Sequence, residues 1–291
     1  MEYTVKLRAF ILMAITTAAF SLPLHAQSYT FQTILECNNL TTFPYAMNGS
    51  GVVAGSARNI SGPDSGLIYV NGECETVPEA TFYGITDTDL LIGGVDNSKT
   101  YELIEPGPKV VALPSYPGAQ PGNFGYCCMD TTTGVLAGNY SPGPPGITSG
   151  FFYYNGTFTS LPWSDASGSP SYWYQIAAMN NTGVVVGTYN TTYLLGFVYA
   201  NKKMTLLGFP GATYTYFQGI NDYGIIVGYY TQQSTGVTNV FLYNLVTGKW
   251  TNLDFPYPYD NMVPVGISNT GVIALQYSPS GGMVIATPPS N

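Results

Sequence analysis

Beyond residue 26 the chain is a succession of short apolar runs, many alternating with polar positions, punctuated by Gly, Asn, Asp and Pro. That rhythm predicts strands and tight turns, and no helical periodicity competes with it. Within the runs one phrase returns six times, at Ala46–Gly55, Gly84–Gly93, Cys128–Gly138, Ala178–Gly187, Gly219–Gly228 and Gly266–Ala274. A typical copy is Gly219-Ile-Asn-Asp-Tyr-Gly-Ile-Ile-Val-Gly228: a small and an apolar residue, a polar turn, then a β-branched run. The turn position falls at Asn48, Asp87, Asp130, Asn180, Asn221 and, by register, Ser268 or Asn269.

The repeats lie about 44 residues apart, and residues 27–291 accommodate six of them with no length left for a second domain. Each repeat reads as four strands. In the fourth, Tyr172–Met179 leads through Asn180–Gly183 to Val184–Tyr189, Leu195–Ala200, a turn at Asn201–Lys203, and Met204–Leu207. Short strands of this kind cannot each bury an apolar face alone, and four per repeat around a closed ring is the β-propeller solution. The chain begins and stops in mid-repeat with complementary fragments, so Tyr29–Leu35 is expected to supply the last strand of the sixth blade beside Met283–Thr287. The predicted fold is therefore all-β: a six-bladed β-propeller of four-stranded blades, its ring closed by the N-terminal strand and its sheet edge thereby covered. A linear β-solenoid is the rival, but its repeats are shorter and its ends need caps.

The phrase G-I-N-x-x-G-x-[VI]-[VI]-G-x-Y, followed by G-F-x-Y as in Gly196–Tyr199 and Gly150–Tyr153, resembles the extracellular HAF repeat of exported bacterial proteins. The opening Tyr29-Thr-Phe-Gln-Thr-Ile34 resembles how such chains begin after their signal. The resemblance covers residues 29–287 and implies export and a propeller-like fold; it lends no catalytic residues. Repeats two, three and six depart from the pattern. Asp87 and Asp130 replace Asn, Asp89 takes the usual Gly position, and Ala274 stands where the closing Gly is expected.

Residues 1–26 carry Lys6 and Arg8, an apolar run from Ala9 to Leu24 and a small-residue cleavage site at Leu24-His25-Ala26, which predicts a signal peptide. The mature chain is then residues 27–291, a single monomeric domain in the periplasm or outside the cell, with no apolar stretch long enough to span a bilayer. Cleavage removes His25, the only histidine, and with it imidazole general bases, triads and His metal ligands. It also leaves six basic against fifteen acidic residues, a net charge of −9, with the basic residues scattered. Nucleic acid and anionic lipid are poor partners for such a surface. Nothing in the sequence calls for a cofactor or a metal.

Export permits disulfides. Cys37 and Cys74 are the favoured pair, while the adjacent Cys127 and Cys128 form either a strained vicinal disulfide or two buried thiols. The connections between successive repeats are aromatic-rich and would share one propeller face. Their candidate binding residues are Tyr45, Tyr83, Tyr126, Trp163, Tyr172, Trp173, Tyr174, Tyr214, Tyr216, Tyr257 and Tyr259. Exposed, they would suit a glycan or a cell-surface protein; packed between blades, they would be consensus core. The longest insertion, around Trp163 and Ser167–Pro170, belongs to the same set. Asp87 and Asp89 could share a cation but sit in a turn, where an Asx role is simpler, and Asp130 and Asp222 read alike. Asp254 and Asp260, with Asp165, could approach the channel mouth, and a glycosidase needs only two carboxylates. The functional expectation is a non-catalytic exported binding module. The alternatives are a carboxylate-dependent polysaccharide hydrolase or lyase and a purely structural envelope protein.

Overall fold

The computed structural model describes residues 29–58, 64–94, 101–104, 110–119, 123–141, 148–161, 173–190, 192–232, 236–253, 262–277 and 281–290. The leader assigned to residues 1–26 lies outside them. Every regular element among the described residues is a β-strand, and no helix there could cross a membrane.

The chain opens with β1 (Thr30–Ile34). The first sheet holds β2 (Glu36–Cys37), β3 (Leu40–Met47), β4 (Val53–Arg58), β5 (Ser65–Val70) and β6 (Glu73–Pro78). The second holds β7 (Thr81–Ile85), β8 (Leu91–Gly94), β9 (Glu102–Ile104) and β10 (Val110–Ala112). β11 (Phe124–Asp130), β12 (Val135–Tyr140), β13 (Ser149–Tyr154) and β14 (Thr157–Ser160) make the third. β15 (Tyr174–Met179), β16 (Val185–Asn190), β17 (Leu194–Ala200) and β18 (Lys203–Leu207) make the fourth. The fifth is β19 (Tyr214–Ile220), β20 (Ile225–Thr231), β21 (Thr238–Asn244) and β22 (Lys249–Leu253). The sixth joins β23 (Met262–Ile267), β24 (Ile273–Tyr277) and β25 (Met283–Thr287) to β1, which pairs antiparallel with β25 from Thr30↔Thr287 to Ile34↔Met283. The N-terminal strand thus completes the last sheet, as the half-repeats at the two ends imply.

Sheets are meanders, and the first long strand of each lies against its counterpart in the next: β3, β7, β11, β15, β19 and β23 follow one another, and β23 returns to β3. The arrangement is propeller-like. Apolar clusters fill the spaces between neighbouring sheets, as where Phe217, Phe241 and Tyr230 meet Val186 and Val198. Each inner strand carries a β-bulge at the same place, skipping Tyr45, Tyr83, Cys127, Ala177, Gln218 and Val265. A bulge adds a residue without a ladder partner and bends the strand. Here it re-aims the last residues of every inner strand.

The turn glycines of the phrase have positive φ, at Gly51, Gly134, Gly183, Gly224 and Gly271; in the second repeat Asp89 adopts the same conformation at φ 61°. Two details of register correct the sequence reading. The turn-capping residue of the second repeat is Thr86, not Asp87, and of the two alternatives in the sixth it is Ser268: Leu90 N–H donates to Thr86 Oγ1 and Val272 N–H to Ser268 Oγ, as Ile225 N–H does to Asn221 Oδ1. The closing-glycine slot of the sixth repeat holds Leu275, not Ala274, because Pro264↔Leu275 corresponds to Phe217↔Gly228. Facing that slot is Val284 where the fifth sheet has Phe241.

Cys37 and Cys74 form a disulfide that ties β2 to β6. Cys127 and Cys128 are free thiols, the first half-buried and the second buried, so the vicinal disulfide does not form and only one of the two is interior. The bulge at Cys127 sets the neighbours apart along the strand.

Candidate functional site

The six phrases converge on one end of the ring axis. Met47, Ile85, Met129, Met179, Ile220 and Ile267, the second residue of each phrase, border a cavity of about 40 Å³. Outside them lies a hydrogen-bonded tier. Asn48 Nδ2 donates to Thr86 O (2.9 Å), Asn180 Nδ2 to Asn221 O (3.0 Å) and Asn221 Nδ2 to Ser268 O (3.0 Å). The next residue of each phrase forms a rim, and in five of the six its backbone N–H donates to its neighbour across the sheet boundary. Gly49 N–H reaches Asp87 Oδ1, Thr131 N–H reaches Asn181 Oδ1 (2.9 Å), and Asn181 N–H reaches Asp222 Oδ1 (2.9 Å). Asp222 N–H donates to Asn269 Oδ1 (2.9 Å), and Asn269 N–H to Gly49 O (2.7 Å).

At this rim Asp87 meets Asp222 across the axis, and the amide of Asn181 donates to both. Burial holds the Asp87 carboxyl above its ordinary range, the Asp222 charge adds to this, and donation from Gly49 N–H and Asn181 opposes it. Asp89 is also raised by burial, against donation from Asn48. A group whose folded pKa is raised binds more protons in the native state, so it costs stability as pH rises past the ordinary carboxylate value. Asp87→Asn keeps an acceptor for Gly49 N–H and removes that cost. Thermal unfolding from pH 4 to 7 should show the variant gaining midpoint over the parent as pH rises; parallel curves would contradict a raised Asp87 carboxyl.

The cavity has room for a water or a bare ion and none for a sugar ring. Asp165, Asp254 and Asp260 lie outside the described residues. Among the described residues no cluster of three or more Cys, Asp or Glu could hold a metal.

The aromatic connections do not form one ring. Tyr126 and Tyr174 are interior; their hydroxyls donate to Pro114 O (2.8 Å) and Leu161 O (2.7 Å), and burial pushes Tyr174 up to about 12. Tyr174 belongs to a packing scheme in which an inner-strand side chain sits on a glycine of the preceding sheet, as Phe217 does on Gly196 and Ile176 on Gly150. Tyr216 is half-buried and stacks on Tyr229 at 4.3 Å; Tyr214 and Trp173 are half-buried. Tyr45 and Tyr83 are bulge residues, hence freed from the interior, and stack at 5.9 Å with Tyr83 45% exposed. Arg58 donates to Tyr45 Oη (2.9 Å) and pairs with Asp64. Trp163, Tyr172, Tyr257 and Tyr259 lie outside the described residues.

A wider concavity opens on the face that carries the phrase turns, where the third sheet meets the fourth. It encloses about 570 Å³ and is bordered by Phe152, Tyr154, Asn155, Thr157 and Thr159 of the β13–β14 hairpin. Asp130, Thr133 and Gly183 from the adjoining turns complete it. Tyr154 is 49% exposed.

The fold has counterparts among solved structures. TolB from Acinetobacter baumannii is similar over 87% of this chain at 13% identity, with a TM-score of 0.54; the chain spans 66% of the TolB chain. An oligogalacturonate lyase in complex with manganese is similar over 90% of this chain and 97% of its own, at 9% identity and a TM-score of 0.50. A Bacteroides fragilis protein described as exported gives 91% and 96% coverage, 10% identity and a TM-score of 0.51. No family model matches the chain, and no curated protein matches it. At such identities the likeness is one of fold, and it supports the propeller-like architecture alone.

The sequence pointed to neither the groove nor the Asp87–Asp222 pair. The groove needs two sheets and a hairpin that is ordinary by itself. The pair was legible in principle: repeats two and five stand opposite in a ring of six sheets, so equal phrase positions meet at the axis.

Proposed function

We propose that this chain is an exported, non-catalytic binding module that recognises neutral carbohydrate. In this reading each of the six sheets is one blade of a six-bladed propeller occupying residues 27–291, monomeric, with residues 1–26 removed on export. The phrase resemblance to the HAF repeat and the Cys37–Cys74 disulfide support an oxidising compartment outside the cytoplasm.

The observation that carries the proposal is the groove between the third and fourth sheets. Its size lies within the ordinary range for small-ligand sites. An exposed tyrosine and a phenylalanine offer flat faces to the C–H face of a pyranose, while the Asn and Thr side chains supply neutral hydrogen-bonding groups. The acidic balance of the mature chain disfavours polyanionic glycans. The Tyr45–Tyr83 pair on the opposite face is the second reading, favoured by the exposure of Tyr83.

A glycan array probed with the mature protein should return neutral oligosaccharides, and Tyr154→Ala should weaken binding about tenfold, the scale of one lost aromatic contact. Tyr83→Ala should leave it unchanged. The reverse pattern would move the site to the other face. Absence of any glycan binding, or turnover of a bound glycan, would overturn the proposal.

A further inference from the structure

Asparagine precedes glycine three times in the chain, at Asn48–Gly49, Asn71–Gly72 and Asn155–Gly156. Such a step is chemically labile, because glycine puts no side chain in the way of its own nitrogen reaching the asparagine Cγ. The fold treats the three steps differently. Asn48 is buried, and its amide is held from both ends: Nδ2 donates to Thr86 O and Asp89 Oδ1 (both 2.9 Å), and Oδ1 accepts from Ser50 Oγ and Val52 N–H (both 2.9 Å). The Gly49 N–H beside it is held by Asp87 Oδ1. Asn71 and Asn155 instead stand at exposed hairpin tips, at φ 52° and 46°, followed by Gly72 and Gly156 at φ 90° and 79°. Val70 pairs with Glu73 and Tyr154 with Thr157, so both dipeptides lie outside the ladder. Among the described residues no hydrogen bond holds either side-chain amide, and a β-carbon added at Gly72 or Gly156 would meet nothing within 4 Å. Of the three asparagines only Asn155 borders the groove between the third and fourth sheets.

We propose that Asn155 is a self-modification site that retires the groove with age: together with Gly156 it converts through a succinimide to aspartate and isoaspartate. The Gly156 nitrogen attacks Asn155 Cγ, the bond from Cγ to the side-chain nitrogen breaks, and ammonia leaves. Water then opens the ring at either carbonyl. One water is consumed and one ammonia released, with no oxidant and no second enzyme. Attack needs the deprotonated Gly156 nitrogen, so conversion accelerates as pH rises. Both products alter the groove. Each replaces an amide that donates by a carboxylate that only accepts, and Asp130 already borders the same space. Isoaspartate also lengthens the backbone between Tyr154 and Thr157, and Tyr154 is the exposed ring of the site. The loss of affinity rests on the carbohydrate reading; the conversion itself does not.

The test ages the mature protein, disulfide intact, in mildly alkaline and in mildly acidic buffer. Its peptides are then mapped by mass spectrometry with fragmentation that separates the two acid isomers. The amide-to-acid mass change should appear at Asn155 and Asn71, faster in the alkaline sample, and stay absent at Asn48. The same samples go on the glycan array. Affinity for the neutral glycan that fresh protein binds should fall roughly tenfold as Asn155 converts, the scale of one lost hydrogen bond. Asn155→Asp should show that loss without ageing and with the parent's melting curve, whereas Asn71→Asp should bind as the parent does. The site is refuted if Asn155 keeps its amide, or if Asn48 converts as fast as Asn155. Conversion with undiminished glycan binding would overturn its effect on the groove. Fresh protein that binds no glycan overturns the carbohydrate reading and the loss of affinity with it, while the mass change still decides the modification.

Discussion

Gly187→Ala should strongly destabilise the fold. A β-carbon on Gly187 would lie 2.0 Å from Gln175 O, 2.9 Å from Gln175 C and 2.7 Å from the Phe197 ring. The conflict is with backbone, so no rotamer relieves it. Gly187 is paired with Ile176 immediately beside the bulge at Ala177 and with Phe197 on its other side, which fixes the strand on both edges. Separating β15 from β16 would also loosen the fully buried Phe197 and Ile176 between sheets. Backbone-fixed overpacking of this kind belongs to the severe tail of substitution effects, about 4 kcal/mol. That is a large part of the 5–15 kcal/mol of a typical domain. Urea unfolding followed by tryptophan fluorescence should show a midpoint far below the parent's, or no soluble protein. A midpoint equal to the parent's would mean that the strands can part here without cost.

The same slot shows how far the sequence could be read. The phrase announced strands and turns because their causes are local: β-branched runs, and turn residues that accept positive φ. Its last glycine answers to a different cause, the approach of an inner-strand carbonyl. In the sixth repeat Leu275 fills the slot. A pattern read along one chain placed Ala274 there, since only the bulge and the cross-strand pairing reveal the offset. The aromatic connections failed for a related reason. The bulge separates Tyr45 and Tyr83, which lie at it, from Tyr126 and Phe217, which directly precede it in their own strands. One residue of register decides between surface and core. Ring closure, by contrast, was legible because it depends on the count of repeats and on complementary ends, and Thr30–Ile34 pairs with Met283–Thr287 accordingly. The groove and the axial cavity arise from residues of separate sheets. No single repeat contains either of them.

The repeated asparagine does more than shape a turn, and substituting Asn221 should separate its two roles. Asn221 is buried, and its Oδ1 accepts from Tyr223 N–H (3.1 Å) and Ile225 N–H (2.9 Å), which caps the turn between β19 and β20. Its Nδ2 donates to Ser268 O (3.0 Å), a carbonyl of the sixth sheet. Alanine removes all three bonds and strands buried partners, at about 1–3 kcal/mol for each group left unsatisfied. A total near 3 kcal/mol is expected. Serine is the informative comparison, because the protein already uses Ser268 and Thr86 in this slot, and both accept from the backbone four residues on. A hydroxyl keeps the local cap but is too short to reach Ser268 O, so Asn221→Ser should lose only the inter-sheet bond, about 1 kcal/mol. The expected order of unfolding midpoints is parent, then Asn221→Ser, then Asn221→Ala. Coincidence of the serine variant with the parent would show that the bond across the boundary contributes nothing to stability and that the phrase is only a turn signal. Coincidence of the serine and alanine variants would place the whole effect at the boundary. The intermediate outcome assigns the asparagine both tasks: it closes its own hairpin and fastens that hairpin to the next sheet around the axis.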